Sequence, residues 1–388
     1  MLNFTHNIPT RLYFGKGQIC HLAESLMQYG KRVLLAYGGG SIKRMGLYDE
    51  VMEILNGHDF IVTELSGIAP NPRLSSVAEG QRLCRENGID VILAVGGGST
   101  IDCAKAIAAA AFYEGDLWEM VQNAQGQYKT LPVVDILTLS ATGSEFDIFG
   151  VISNPDTNEK LGGMYCHPAV SICDPTYTFS VPAYQTAAGS ADIMSHTFEN
   201  YFSRESDSDL SEGICESILK SVMVNCPIAI REPDNYAARA NLMACSSVAC
   251  AGIPAYGKED TGWPCHAMEH ELSAYYDITH GVGLAILTPR WMRHILKKDP
   301  SVTPRFVRFA RNVMGLDDDD DRILARAGID ALEEYFKSTG IPMRLSELGI
   351  GTEHFEQMAA HANPDNFLSE AFVPLTNEDI VEIFRACL

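Results

Sequence analysis

The sequence predicts an α/β domain with a doubly wound, Rossmann-like parallel sheet over residues 1–180, followed by an all-α domain over residues 181–388. Three observations carry this. A strand-length apolar run passes directly into Gly-Gly-Gly-Ser and then a helical pattern, and it does so twice, at Lys31 to Ser41 and at Asp90 to Ser99. A further strand–helix unit separates the two copies, as expected of a parallel sheet with crossover helices. Strand-like runs then stop at Val181-Pro182, and patterns rich in Ala, Met, Leu and Glu continue to the C-terminus.

Taken in order, Arg11 to Phe14 reads as a short strand ending in a glycine turn, and Ile19 to Tyr29 as a helix. Lys31 to Tyr37 is continuously apolar after its first two residues, which is how a strand buried on both faces reads. Gly38 to Ser41 follows, then a helix to about Leu55, a strand at Phe60 to Glu64 and a helix from Leu74 to Glu86. Asp90 to Val95 is the next strand, Gly96 to Ser99 its loop and Thr100 to Phe112 its helix. Leu131 to Leu139 is a strand that runs into Ser140-Ala-Thr-Gly-Ser144-Glu145. Residues 150–154 and 160–164 form a hairpin around Pro155, and Val170 to Asp174 is the last strand. The carboxylate run Asp317 to Asp321 is placed to cap a helix opening at Arg322.

The composition excludes several classes. With 46% hydrophobic and 20% charged residues, 388 residues suffice for two domains with separate cores. A net charge of −21 argues against nucleic acid and against an anionic membrane as partners. No run of about 18 apolar residues stands out, and the N-terminus has no basic segment followed by an apolar one, so no membrane span or leader is expected. The eleven cysteines are scattered, odd in number and without a Cys-x-x-Cys pair. They read as thiols of a cytoplasmic protein.

The chemistry concentrates between Asp192 and His280. Asp192 and His196 are four residues apart, as are His266 and His270, so a helix puts each pair on one face. His280 lies beyond the helix end expected at Tyr276-Asp277. These five imidazole and carboxylate groups are candidates for a divalent-metal site bridging two helices. Upstream, Gly96 to Ser99 and Thr142 to Ser144 sit at carboxyl ends of strands. There glycine lets backbone approach a pyrophosphate, and a helix N-terminus faces it.

Four motifs occur in order: Gly96-Gly-Gly-Ser99-x-x-Asp102, Thr142-Gly-Ser-Glu145, Asp192-x-x-x-His196, and His266-x-x-x-His270-x₉-His280-Gly281. Together with Pro9 to Gly17 they resemble the iron-containing (group III) alcohol dehydrogenase family, end to end. The nearest resemblance is to its butanol dehydrogenase and NADPH-dependent broad-range aldehyde reductase branch. That resemblance implies the dehydroquinate synthase-like fold, with Asp192, His196, His266 and His280 holding one divalent metal, Fe²⁺ or Zn²⁺ with Ni²⁺ possible. His270 is then left as a catalytic proton handler outside the ligand set. Gly97, Gly98, Ser99 and Asp102 would hold the pyrophosphate and nearby cofactor groups. Thr138, Thr142 and Ser144 would line the cofactor, Lys160 would stand near a ribose, and Asp147 would stand toward the nicotinamide.

Family members that prefer NAD(H) tend to carry Asp at the position of Gly38. Gly38 and Gly39 leave room for a 2′-phosphate, and Ser41 and Lys43 could donate to it, so NADP(H) is expected over NAD(H). Small aldehydes and primary alcohols are the implied substrates, and a homodimer the implied assembly. Phe146, Asp147 and Phe149 depart from the small or amide residues usual in the branch. A dehydroquinate synthase-like or glycerol dehydrogenase-like enzyme on a polar substrate is the alternative. The segments flanking the ligands are poor in the Lys and Arg that a phosphorylated or carboxylated substrate would require.

Overall fold

The computed structural model describes residues 1–204 and 207–388. The chain divides into two compact units, one of residues 7–181 and 233–251, the other of residues 1–6, 182–232 and 252–388. The single cut expected after residue 180 therefore differs from the structure in two segments. The N-terminal six residues join the helical unit, where Leu2 N donates to Gly257 O and Phe4 stacks on Tyr256 at 4.3 Å. A helix from the second half of the chain joins the α/β unit.

The α/β unit is built from β1 (Arg11–Phe14), α1 (Leu22–Met27), β2 (Arg32–Tyr37), α2 (Ser41–Arg44), α3 (Leu47–Gly57), β3 (Ile61–Leu65), α4 (Leu74–Asn87), β4 (Val91–Gly96), α5 (Gly98–Ala110), α6 (Leu117–Gln122), β5 (Val133–Leu137), β6 (Phe149–Asn154), β7 (Glu159–Met164) and β8 (Val170–Cys173). Six strands form one parallel sheet in the order β1-β8-β5-β4-β2-β3, while β6 and β7 pair antiparallel as a hairpin. The apolar runs are buried on both faces, as their continuity predicts. Leu34, Ala36, Ile92 and Ala94 pack with α4 and α5 on one side. Val33, Leu35, Val91 and Leu93 pack with α1 and α3 on the other. From β2 the chain winds outward to β3, and from β4 it winds the opposite way to β5, so the topological switch falls between β2 and β4. That is where open α/β sheets bind ligands, outside the carboxyl ends of the strands.

The helical unit contains α7 (Ala183–Tyr201) and α8 (Asp209–Arg231). The chain then returns to the α/β unit as α9 (Tyr236–Cys250) and resumes with α10 (Pro264–Tyr276), α11 (His280–Lys298), α12 (Thr303–Asn312), α13 (Asp321–Ser338), α14 (Phe355–Ala362) and α15 (Asn377–Ala386). Asp320 caps α13, its side chain accepting from the amides of Arg322 and Ile323. Contrary to the expectation from the sequence, α8 is long and apolar enough by composition to cross a membrane, with a mean hydropathy of 1.4. In the fold, however, it buries Glu212 and Glu216 against arginines: Arg305 and Arg308 pair with Glu212, and Arg308 also with Glu216 at 2.6 Å. The structure contains no disulfide among the described residues.

Candidate metal centre and cofactor loops

In the helical unit the metal candidates converge. Small residues line α7 around Ala187 to Ala191, and α11 seats its first turn against that stretch. A Cβ at position 281 would run into the Ala188 carbonyl, so only glycine lets the start of α11 come this close. His280, the first residue of α11, is thereby brought to Asp192, one turn beyond Ala188. Pro264 opens α10, and the turn before it places Trp263 in a left-handed conformation with φ +49°. His266 follows within the first turn.

Three imidazole nitrogens face one carboxylate oxygen. His196 Nε2 lies 3.6 Å from Asp192 Oδ1, His280 Nε2 3.6 Å and His266 Nε2 4.0 Å. Ligands about 2.1 Å from a tetrahedral ion stand roughly 3.4 Å apart, so this spacing fits a shared ion. Burial, followed by the neighbouring His266 and His280, pushes His196 well below the usual imidazole range, which keeps it neutral and able to coordinate. His266 Nε2 is buried and meets no hydrogen-bond partner among the described residues. The donor set therefore suits a divalent cation. His270, on the next turn of α10, stands beside the cluster with its ring 5.6 Å from that of His280. The Trp263 ring lies 5.0 Å from His266 and 5.7 Å from His196, forming an apolar wall.

Two carboxylates that the sequence reading did not single out complete this group. Glu199 Oε1 accepts from both the backbone N and Nδ1 of His266, at 3.1 and 3.2 Å. Glu269 Oε2 is bonded to His280 Nδ1, and its Oε1 accepts from Ser273 Oγ at 2.5 Å. A signal was available: each glutamate lies three residues after a candidate ligand, Glu199 after His196 and Glu269 after His266, on the same helical face. Cys265 is buried, its thiol pushed up by burial and then by neighbouring Glu199.

In the α/β unit three loops meet at the carboxyl edge of the sheet. The loops after β2 and β4 flank the topological switch, and Thr138 N donates to Gly96 O at 2.9 Å, joining the loop after β5. Gly98 allows Thr142 to close on the start of α5, for a Cβ there would overlap the Thr142 side chain. Ser99 Oγ donates to Pro70 O. Lys43 holds its ammonium over Tyr37 and Tyr48, 5.1 and 4.4 Å from the ring centroids, and Glu64 is engaged by both tyrosine hydroxyls at 2.6 and 2.9 Å. Gly38 and Gly39 lie in the first loop, with open space around Gly39, and Ser41 opens α2 just after it. Lys160 is buried on β7, in register with Ser153 of β6.

The acidic residues of this region differ from the expectation. Asp102 takes Ser144 Oγ at 2.5 Å and Val151 N at 3.0 Å, so it fastens the Thr-Gly-Ser loop and β6 to α5. Burial raises its carboxyl to about 6. Asp147 is not a free anion at the nicotinamide end. Its Oδ1 accepts from Lys105 Nζ at 2.9 Å and from Phe149 N at 2.7 Å, and Lys105, fully buried on α5, also donates to Phe149 O at 2.7 Å. Burial pulls the Lys105 amine down, but Asp147 and Asp102 outweigh it and hold it charged. The helix α9 supports the same loop: Ser246 Oγ accepts from Ala141 N at 3.1 Å, and Ser247 Oγ donates to Glu145 Oε1 at 2.6 Å.

Residues 9–175 match the iron-containing alcohol dehydrogenase family, and residues 186–388 the C-terminal region of the Fe-containing alcohol dehydrogenase family. The chain belongs to the iron-containing alcohol dehydrogenase family. It is 51% identical to NADH-dependent butanol dehydrogenase A of Clostridium acetobutylicum, over 99% of both chains. It is 36% identical to the NADPH-dependent aldehyde reductase YqhD of Escherichia coli over 90% of each chain. Among solved structures, NADH-dependent butanol dehydrogenase A from Thermotoga maritima superposes with a TM-score of 0.92 at 38% identity, covering 100% of this chain and 99% of that one. These relatives place the chain in the butanol dehydrogenase and aldehyde reductase branch.

Proposed function

We propose that the chain is a divalent-metal-dependent oxidoreductase that interconverts primary alcohols and aldehydes with a nicotinamide cofactor, working as an aldehyde reductase. The observation that carries this reading is the convergence of three Nε2 atoms on Asp192 Oδ1 in a protein that also presents three strand-end loops. Asp192, His196, His266 and His280 would hold the ion, whose chemistry is that of a Lewis acid toward a substrate oxygen. A set of three imidazoles and one carboxylate suits Fe²⁺, Zn²⁺ and Ni²⁺ alike. His270, beside His280, would return a proton to the product oxygen. Trp263 excludes water from one side of the ligands and favours an apolar substrate chain. The amides and hydroxyls of Gly97 to Ser99, with Thr138 and Thr142, would position the cofactor.

For the cofactor we favour NADP(H). Gly38 and Gly39 bring no carboxylate to the loop after β2, and Glu64 on neighbouring β3 is occupied by Tyr37 and Tyr48. NADH is the second reading, favoured by the NADH-dependent relative from Clostridium acetobutylicum. The test is consumption of NADPH and NADH by metal-loaded protein with butyraldehyde and a panel of aldehydes. Turnover that vanishes on chelation and returns with Fe²⁺ or Zn²⁺ is expected, and its absence with every aldehyde would sink the proposal. A Cβ at Gly38 would press on Ile68 O at 3.2 Å, whereas one at Gly39 meets nothing within 4 Å. Gly38→Asp and Gly39→Asp together therefore test the loop. At least one should shift the kcat/KM ratio toward NADH, and unchanged ratios in both would mean that the 2′-phosphate is read elsewhere.

A further inference from the structure

We infer that Glu199 and Glu269 are positioning residues of the metal centre, each fixing the tautomer and orientation of one histidine through Nδ1 so that Nε2 faces Asp192. The inference rests on the reading of Asp192, His196, His266 and His280 as a divalent-ion site. A neutral imidazole has one protonated nitrogen and one lone pair, and the hydrogen bond made by one nitrogen decides the role of the other. His266 Nδ1 is 3.2 Å from Glu199 Oε1, an oxygen that can only accept from it, so the lone pair is left on Nε2. That Nε2 is the buried atom without a protein partner, and it faces Asp192. His280 repeats the arrangement with Glu269.

Both carboxylates are buried, at 3% and 0% exposure, where a carboxylate is costly unless it is hydrogen-bonded. The fold provides for each of them. Glu199 ties the last turn of α7 to the first turn of α10, because the same oxygen that takes His266 Nδ1 also takes its backbone N–H. Glu269 is held by Ser273 Oγ and lies over Gly283 of α11, where a Cβ would come within 2.8 Å of its Cγ and 2.9 Å of Oε1. Glycine at 283 leaves the space that this carboxylate fills. His196 differs. Its Nδ1 is buried without a protein partner, and its ring is instead stacked on His266 at 4.7 Å and packed against Trp263. The three imidazoles are thus oriented by two different means, two by a carboxylate and one by ring packing.

The test measures metal affinity rather than turnover. Zn²⁺ binding to the stripped full-length protein is titrated against a chromogenic chelator for the parent, Glu199→Ala, Glu199→Gln, Glu269→Ala and Glu269→Gln. Loss of such a partner weakens metal binding roughly 10–100-fold, and that is expected for the alanine variants, with glutamine between because its carbonyl can still accept. Cobalt substituted for zinc should show a displaced visible absorption band in the same variants. Should an alanine variant fail to fold, the glutamine variants and Ser273→Ala decide, the latter releasing Glu269 from one side and weakening Zn²⁺ severalfold. Affinities of the folded variants within about twofold of the parent would overturn the inference, since the 10–100-fold effect would then be missing. Asp192→Asn serves as the reference. If the parent takes up no Zn²⁺, or Asp192→Asn leaves its affinity unchanged, the metal reading itself fails and this inference fails with it.

Discussion

Lys105→Met would remove the charge that neutralises Asp147. Lys105 is 0% exposed, and its ammonium makes two hydrogen bonds, to Asp147 Oδ1 and Phe149 O. Methionine matches the aliphatic stem in length, so little packing is lost, but the variant strands a buried carboxylate and a partly buried carbonyl. Breaking a buried pair from one side costs about 3–5 kcal/mol, because the remaining charge has no water to return to. For a unit of this size each kcal/mol lowers the melting temperature by about 2–4 °C, so a drop of roughly 6–20 °C follows. The double variant Lys105→Met/Asp147→Leu removes both charges and should recover most of that loss, since an apolar pair of similar volume often matches a buried ion pair. Thermal melts followed by circular dichroism measure all three variants and give the coupling between the two positions. In the double variant Phe149 N loses its acceptor and Phe149 O its donor, so recovery should fall short of the parent by about 1–3 kcal/mol. A Lys105→Met melt within 2 °C of the parent, or a double variant worse than the sum of the singles, would refute the assignment of this pair as a mutually neutralising tie.

Two further outcomes follow from the same region. Gly98→Val would drive a side chain into Thr142 and push the loop after β5 away from the start of α5. It should raise the KM for the nicotinamide cofactor by about tenfold or more and cost about 1–3 kcal/mol of stability by overpacking; unchanged cofactor kinetics would mean that this approach is not used. Burial raises the Glu145 carboxyl to about 7 from an ordinary value near 4.5. A carboxyl raised in the folded state contributes stability that is complete below its unfolded value and lost as pH rises through the folded one. The parent should therefore lose stability between pH 5 and 8, by roughly 3 kcal/mol at most from this group, and Glu145→Gln should flatten that slope in melts taken across the range. An equal slope in both would place the titrating group elsewhere, Asp102 at about 6 and Asp135, raised well above its ordinary value by burial, being the next candidates.

The sheet was legible in the sequence because β2 and β4 are buried on both faces and read as apolar runs, as does β5 apart from the buried Asp135, each followed by or ending in glycine or a small polar residue. The pairs Asp192–His196 and His266–His270 were legible because helical spacing of four survives any packing. Allegiance of helices was not. The segment Tyr236–Cys250 has the same alanine-rich texture as its neighbours, and nothing local says that Ser246 and Ser247 will serve a loop about a hundred residues earlier. Lys105 was missed for a related reason. A lysine in a helix ordinarily faces water, but α5 is buried on almost every side, so its polar residues turn inward and need partners. Asp147 consequently read only as an acidic departure from the branch pattern, with no partner in view.

The buried charges also bear on the metal site. The chain carries a net charge of −21, yet it buries Asp192, Glu199 and Glu269 together in the helical unit. In the α/β unit the comparable cluster, Asp102 and Asp147, gathers around a lysine. In the helical unit the three carboxylates face imidazoles: Asp192 faces three, Glu199 and Glu269 one each. Burial keeps at least His196 neutral, so this imidazole cannot balance the carboxylates as Lys105 does in the other unit. A divalent cation at the convergence of the three Nε2 atoms would balance two of the three negative charges and occupy the lone pairs that the ring orientations expose. The same electrostatic need would account for Glu199 and Glu269 so far from water: with an ion bound they would be favourable, and without one costly. Removing the ion should therefore destabilise the helical unit more in the parent than in Glu199→Gln, a difference that melts with and without chelator would show directly.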